Sequence, residues 1–312
     1  MLGRLGKDAS SLLGVEITPP FIRLVRLHRH RGRYSVQAWA LESLPATAMH
    51  NGWISDPEQV GMALLKAVRR SVGQGRRAAI ALPGGLVIEK RVSMPADFDE
   101  HAIIEHLPTE AAQFVPFAFE DAAIDFEVIG LDADDPQRQH VVVAVCHLAL
   151  LDVLQASLES AGLQACVVEP DSHALRRAVH FDGAPDSLLL QVEADAVVFH
   201  EGGAGGVPLR REVPLHDQRD LAQALVSAVD NYLLASPGRR LPDQLLLSGA
   251  GVGDQHLPAQ LKQRLGMGVH HVDPFKHLTL APGLEARSLM AQAPSLAIAC
   301  GLAMREGDRC LD

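Results

Sequence analysis

The residues LLGVEI-TPP-FIRLVRL at positions 12–27 decide the fold of this chain, and SLLLQV-EAD-AVVF at positions 187–199 repeats their pattern. Each segment predicts a strand, a short turn and a second strand, because runs of apolar residues flank residues that are typical of turns. Two such hairpins in one chain indicate a duplicated architecture with a nucleotide-binding ancestry.

Both turns lack the features that hold a phosphate group. A phosphate-binding turn needs exposed backbone N–H groups, usually on Gly or Ser, and often an Asp near the metal. Thr18-Pro19-Pro20 contains two prolines, which have no N–H to donate. Glu193-Ala194-Asp195 carries two carboxylates, which would repel a phosphate. The turns therefore predict that this chain no longer uses the ancestral site.

The same order of elements follows each hairpin. Each half predicts three strands, a helix and a further strand, and a repeat of this length indicates two similar lobes. A cleft between such lobes is a natural ligand site. The elements after the hairpins are expected at 33–41, 56–68 and 76–82 in the first half, and at 207–213, 218–235 and 244–247 in the second. Between the halves, residues 84–165 predict a small α+β subdomain inserted into the first lobe.

Composition excludes several classes of protein. The formal charge of −10 argues against a nucleic-acid binder, whose surface should be basic. Polar residues or proline interrupt the apolar segments 141–154 and 288–304, so no membrane span is predicted. The N-terminus does not resemble a signal peptide. We therefore expect a cytoplasmic protein with reduced cysteines.

Seven short motifs lie along the chain in the order AIALPG (79–84), VSMP (92–95), EAAQFVPF (110–117), DFEVIG (125–130), LLSGAG (246–251), DPF (273–275) and APSLAIACGLA (293–303). Their order and spacing resemble the type IV pilus assembly protein PilM family, which is related to the cell-division protein FtsA. The resemblance covers about residues 12–306, and a sugar kinase of the same superfold is the less favoured alternative.

The resemblance implies an α/β fold of the actin-like (RNase H-like) type, with two duplicated lobes and an inserted FtsA/PilM-type α+β subdomain. The first lobe is expected at 12–83 and 166–184, the insertion at 84–165, and the second lobe at 185–306.

The resemblance also gives candidate nucleotide contacts, which are Glu16, Thr18, Ser248, Gly249 and Gly251. Only the turn 248–251, on the adenosine side, stays close to the family pattern. The turns at 16–19 and 191–194 and the helix at 226–232 depart from it. We therefore expect no cofactor, and ATP with Mg²⁺ is the alternative.

No catalytic or metal-binding residue is predicted. No pair of carboxylates is spaced to activate water. His28 with His30, and His270 with His271, have no Cys or carboxylate partner at a recognisable ligand spacing.

Aromatic residues make up only 4% of the chain, yet several lie together at 114–119. They predict the core of the inserted subdomain and, in part, a groove for an extended peptide. In PilM-like proteins the cleft beside this subdomain binds the short cytoplasmic N-terminal tail of the membrane protein PilN. The resemblance thus implies Arg91, Phe114, Pro116 and Phe117 as candidate peptide contacts.

The favoured function is a scaffold at the cytoplasmic face of the inner membrane, within the type IV pilus assembly platform. Its expected partners are the N-terminal peptide of a PilN-like protein and the pilus motor ATPases. An actin-like ATPase or nucleotide switch is one alternative. The other is the equivalent component of another pilus, such as MshI, or of type II secretion, such as GspL.

Overall fold

A computed structural model describes residues 12–71, 76–180, 187–201, 209–215, 220–235 and 242–305. The strands are β1 (Leu13–Thr18), β2 (Phe21–His30), β3 (Arg33–Ser43), β4 (Met49–His50), β5 (Trp53–Ile54), β6 (Arg77–Leu82), β7 (Ile88–Pro95), β8 (Ala122–Leu131), β9 (Arg138–His147), β10 (Gln164–Pro170), β11 (Ser187–Val192), β12 (Ala196–Glu201), β13 (Leu209–Pro214), β14 (Gln244–Ser248), β15 (Gly268–His271) and β16 (Thr279–Leu280). The α-helices are α1 (Pro57–Arg70), α2 (Glu100–Ala111), α3 (Leu148–Ser160), α4 (Asp171–Ala178), α5 (Leu221–Leu234), α6 (Leu257–Leu265), α7 (Ala286–Ala291) and α8 (Ala297–Ala303).

The two predicted hairpins form the centres of two sheets built to one plan. The first sheet has the order β10-β6-β1-β2-β3-β16, and the second has the order β13-β12-β11-β14-β15. In each sheet the first hairpin strand pairs antiparallel with the second. On its other side it pairs parallel with the strand that follows α1 or α5. The duplication predicted from the sequence is therefore confirmed.

Capping side chains set where the two equivalent helices begin. Asp56 Oδ1 accepts a hydrogen bond from the Gln59 amide at 3.0 Å, at the start of α1. Asp220 Oδ1 accepts one from the Gln223 amide at 2.9 Å, at the start of α5. These carboxylates satisfy amides that have no partner within the helix.

Helices α4 and α8 pack between the two sheets and join the lobes. They share one buried cluster with Leu12 beside the first sheet and Leu189 on the second. The helices cross so closely that a Cβ on Gly301 would lie 1.8 Å from the Ala174 carbonyl oxygen. Gly301 therefore permits a close crossing of α4 and α8 that a larger residue would block.

The third sheet has the order β7-β9-β8 and its own core. Val92, Met94 and Val143 pack there against Ile103 and Leu107 of α2. The sequence predicts α3 as part of the insertion, yet this helix packs into the core of the first lobe. It buries Leu150, Leu154 and Leu158 beside Leu64 of α1. The domain boundaries expected from the sequence remain predictions. The packing of α3 concerns the C-terminal boundary of the insertion, which was expected at residue 165.

Two further expectations concern cysteines and membrane spans. Cys146 and Cys300 are free and buried, as expected. Cys166 is disulfide-bonded, so the expectation of reduced cysteines is wrong for this residue. Within the described ranges, no helix combines the length and the apolar character needed to cross a membrane.

Candidate functional site

The first hairpin places an ion pair at the position expected for a phosphate-binding turn. Glu16 on β1 lies opposite Arg23 on β2 in the strand register. Arg23 Nη1 donates to Glu16 Oε1 at 3.1 Å, and more weakly to the Thr18 carbonyl oxygen at 3.4 Å. The exposed fraction is 4% for Glu16 and 1% for Arg23. A buried arginine therefore sits beside the turn where the fold would place nucleotide phosphates.

Burial dominates the chemistry of the Glu16 carboxyl group. It raises the pKa of Glu16 to about 7, because desolvation disfavours the charged form. The guanidinium of Arg23 opposes this shift, whereas the carboxylates of Glu193 and Asp171 add to it. The carboxyl group of Glu16 therefore interacts electrostatically with two other acidic side chains, Asp171 and Glu193, and the three come from both halves of the chain.

Asp171, the first residue of α4, links the two lobes through hydrogen bonds. Its Oδ1 accepts from the Gly84 amide at 3.0 Å, and its Oδ2 accepts from Gln191 Nε2 at 3.3 Å. Gln191 belongs to β11 of the second sheet. Burial raises the pKa of Asp171, and the positive charge of Arg210 opposes this effect.

Gln191 extends the network through the second hairpin. Its Nε2 donates to Glu193 Oε1 at 2.9 Å, and its Oε1 lies 3.0 Å from His200 Nε2. His200 therefore donates through Nε2. Burial lowers the pKa of His200 to about 3, and the charges of Arg210 and Arg176 add to this effect.

The network contains polar atoms that lack partners. Among the described residues, Arg23 Nε and Nη2, Glu16 Oε2 and Glu193 Oε2 are buried without a hydrogen-bond partner. Burial raises the pKa of Glu193, while Arg23 lowers it. Cations and carboxylates therefore converge between the ends of β1 and β11, so a phosphate entering this space would meet three carboxyl groups.

The turn on the adenosine side is packed against the second hairpin. Ser248 Oγ and the Gly249 amide both donate to the Pro294 carbonyl oxygen at 3.1 Å. A Cβ on Gly249 would lie 2.4 Å from the Val192 carbonyl oxygen, and one on Gly251 would lie 2.7 Å from Val192 Cγ1. These glycines thus have a packing role in the contact with Val192.

The candidate peptide contacts do not form one cluster. The Phe114 ring lies 4.9 Å from Lys90 Nζ. Arg91 follows Lys90 on β7, so its side chain points to the opposite face of the sheet. Phe114 and Phe117 pack partly against the core of the three-stranded sheet, whereas Pro116 is exposed.

Phe117 takes part in a run of aromatic rings between the first lobe and the insertion. Its ring centre lies 5.1 Å from that of His147, which lies 5.7 Å from that of Trp53. All three side chains are half-buried. Trp53 also packs against the core of the first lobe. We call Trp53, Phe117 and His147 the junction cluster.

Sequence reasoning missed several of these residues, which are Trp53, His147, Arg23, Asp171 and His200. A signal existed for Arg23, since a short turn at Pro19-Pro20 places this residue opposite Glu16. The others meet only through tertiary packing. Within the described ranges, no group of three or more His, Cys, Asp and Glu side chains is arranged to hold a metal ion.

Comparisons with solved structures show the fold. The chain resembles a PilM-PilN type IV pilus biogenesis complex with a TM-score of 0.78 and 20% identity, over 96% of this chain and 99% of that chain. It also resembles a protein of unknown function with an actin-like ATPase fold from Bacteroides thetaiotaomicron, with a TM-score of 0.51 and 11% identity, over 98% and 100% of the two chains. A third match is the ethanolamine utilization protein EutJ from Carboxydothermus hydrogenoformans, with a TM-score of 0.50 and 12% identity, over 97% and 92%. The predicted actin-like fold is therefore confirmed.

A family model gives the assignment. The model described as type IV pilus assembly protein PilM matches residues 14–197 and 213–307, which include nearly all of the first hairpin, the inserted sheet and β11 of the second hairpin. The chain therefore belongs to the type IV pilus assembly protein PilM family.

Proposed function

We propose that this protein is a scaffold of the type IV pilus assembly platform that binds the cytoplasmic N-terminal peptide of a PilN-like inner-membrane protein. Membership of the PilM family supports the pilus role. The likeness to a PilM-PilN complex supports a PilN-like partner. The partner would hold the protein at the cytoplasmic face of the inner membrane. The pilus motor ATPases are further proposed partners.

The junction cluster is the observation that carries the peptide site. Trp53, Phe117 and His147 form a half-buried apolar surface at a boundary between two structural units. Such surfaces suit the apolar side chains of an extended peptide. Leu148, which follows His147, is 42% exposed and would extend this surface. Arg91 lies on another face of the sheet and would contact the same peptide only if the peptide continued along that face.

We further propose that the scaffold works without ATP. The support is the network of Glu16, Arg23, Asp171, Gln191 and Glu193, in which protein side chains occupy the space between the two hairpin turns. A triphosphate there would have to displace the buried Arg23 and lie against three buried carboxyl groups, which could stay beside it only as neutral acids. The residues present therefore do not fit ATP with Mg²⁺.

A titration tests the peptide site. The cytoplasmic N-terminal segment of the cognate PilN-like protein, as a synthetic peptide, is titrated into the full chain by calorimetry. We expect saturable binding that Phe117→Ala weakens by about tenfold or more, since the loss of a buried aromatic anchor typically costs over 1 kcal/mol. Phe119→Ala is the matched control, because this ring is 45% exposed two positions further along.

Three outcomes would overturn the proposal. They are no binding at high micromolar peptide, equal loss in both phenylalanine variants, and no loss in either. Because Phe117 also packs in a core, each variant is first checked for an unchanged melting temperature. Two further single variants provide a second test of the site. They are Pro116→Ala, at an exposed residue, and Trp53→Ala, at another ring of the junction cluster.

A further inference from the structure

Strand β8 ends the three-stranded sheet with a free edge. The sheet order is β7-β9-β8, and β9 is the strand partner of β8 among the described residues. The amide of Phe126 donates to the Asp125 carboxylate at 2.9 Å. This amide therefore faces the free edge. Because the direction of the backbone groups alternates along a strand, those of Ile124 and Val128 face the same edge.

Apolar side chains are exposed along the distal half of β8. Val128 and Ile129 are each 46% exposed, and Leu131 is 65% exposed. The pairing with β9 is irregular between Val128 and Gly130, so Ile129 is an extra residue in the ladder. Soluble proteins usually protect an edge strand with lysine, proline or a covering element, and this edge carries exposed aliphatic residues.

The charge along the same segment is entirely negative. The acidic residues at 119–137 are Glu120, Asp121, Asp125, Glu127, Asp132, Asp134 and Asp135, and the segment contains no Lys or Arg. Pairing of β8 with a second copy of itself would place like charges together, which is unfavourable. A strand with basic side chains would pair favourably with these carboxylates. Its other side chains would be able to pack against the exposed aliphatic residues of β8.

We propose that the free edge of β8 binds an extended segment of another protein, in which basic and aliphatic side chains alternate, by adding it to the sheet as a fourth strand. A carbonyl group of the added strand would accept a hydrogen bond from the Phe126 amide. This bond would replace the one to the Asp125 carboxylate, so Asp125 would be able to pair with a basic side chain. Aliphatic side chains of the segment would cover Val128 and Leu131.

This edge is separate from the junction cluster. Ala122, at the start of β8, lies opposite His147, whereas Val128 lies opposite Val141. Six residues of strand span about 20 Å, so the exposed aliphatic residues lie well away from Phe117 and Trp53. Failure at one site therefore does not predict failure at the other.

The test uses a designed probe, a capped peptide of alternating lysine and valine, with hydrogen exchange of the full-length protein as the readout. We expect saturable binding that slows amide exchange in β8 and weakens as salt rises. One control peptide alternates glutamate and valine. A second control keeps the lysines but carries N-methyl groups on alternate backbone amides, which block strand addition.

Charge-reversal variants locate the contact. Asp125→Lys combined with Glu127→Lys should weaken binding of the lysine–valine peptide by about tenfold or more, because two attractive pairs become repulsive. Glu58→Lys on α1 is the matched control at an exposed acid, and it should leave binding unchanged. Four results would each overturn the proposal. They are binding of the N-methylated peptide as tight as that of the unmodified peptide, protection of amides outside β8, no binding, and an equal loss of binding in the Glu58→Lys control.

Discussion

Arg23 and Glu16 form a buried ion pair, 3.1 Å between Nη1 and Oε1, beside the turn where this fold would place phosphate. We expect Arg23→Met to lower the free energy of unfolding by roughly 3 kcal/mol at pH 8, because it leaves a buried carboxylate without its partner. Urea denaturation measures this loss. Replacing both residues by Met should recover most of it.

The control for this prediction is Arg264→Met. Arg264 pairs with Asp220 at 3.4 Å, and both side chains are well exposed, at 37% and 54%. Its removal should cost less than about 1 kcal/mol. If Arg23→Met costs no more than Arg264→Met, the buried pair does not stabilise the folded state.

The stability of the protein should depend on pH through Glu16. Burial raises the pKa of this carboxyl group from 4.5 to about 7 in the folded chain. Between these values the folded state holds a proton that the unfolded state has released, so stability falls as pH rises through this window and then levels off. The contribution is up to about 3 kcal/mol. Urea denaturation at pH 5 and pH 8 isolates this contribution as a difference between variants: from pH 5 to pH 8, the wild type should lose up to about 3 kcal/mol more stability than Glu16→Gln. Glu58→Gln, at an exposed site, should show the same pH dependence as the wild type.

His200 should make the stability of the protein depend on pH in the direction opposite to that of Glu16. Its pKa falls from 6.5 to about 3, chiefly through burial, so the folded state resists a proton that the unfolded state accepts. Stability therefore falls as pH decreases below 6.5 towards 3. The NMR signal of the His200 ring should stay constant between pH 8 and pH 5, with free imidazole in the sample as reference. A shift of this signal near pH 6 would contradict the burial of the ring.

The fold was predictable because its signals are local. Alternating apolar residues, the prolines of the first turn and the capping Asp56 each act within a few positions. The apolar pattern around the first turn recurs in the second half, and this recurrence indicates the duplication. The hairpin turn also fixes the register that opposes Glu16 and Arg23. The burial of Arg23 was not predicted, because an arginine within a strand more often faces solvent.

The site was less predictable because distant segments build it. Asp171 meets Gln191 only after α4 and α8 have packed between the sheets. Trp53 meets His147 across 94 positions in sequence, which no periodicity reveals. The resemblance implies Arg91 and Phe114 as contacts of one groove, yet strand alternation separates Arg91 from the Lys90 side chain that contacts Phe114.

Gly249 should resist substitution for steric reasons. Its φ is +101°, and an added Cβ would lie 2.4 Å from the Val192 carbonyl oxygen. We expect Gly249→Ala to cost about 3 kcal/mol, which combines backbone strain with the displacement of Val192. Gly253→Ala is the control, since a Cβ there meets nothing within 4 Å. Urea midpoints of the two variants should differ clearly, and equal midpoints would show that the contact with Val192 is not rigid.

Addition of ATP with Mg²⁺ should leave the melting temperature unchanged. A ligand at about 1 mM with a Kd near 10 μM would add roughly 2.7 kcal/mol of stability, which a thermal scan detects as a rise of several degrees. We expect no rise, because triphosphate binding would break the Arg23–Glu16 pair and bring negative charge against Asp171 and Glu193. Sodium triphosphate at the same concentration controls for general anion effects. A rise that saturates with ATP, requires Mg²⁺ and is absent with triphosphate would show that the network opens to admit a nucleotide, and would favour a nucleotide switch over the scaffold proposed above.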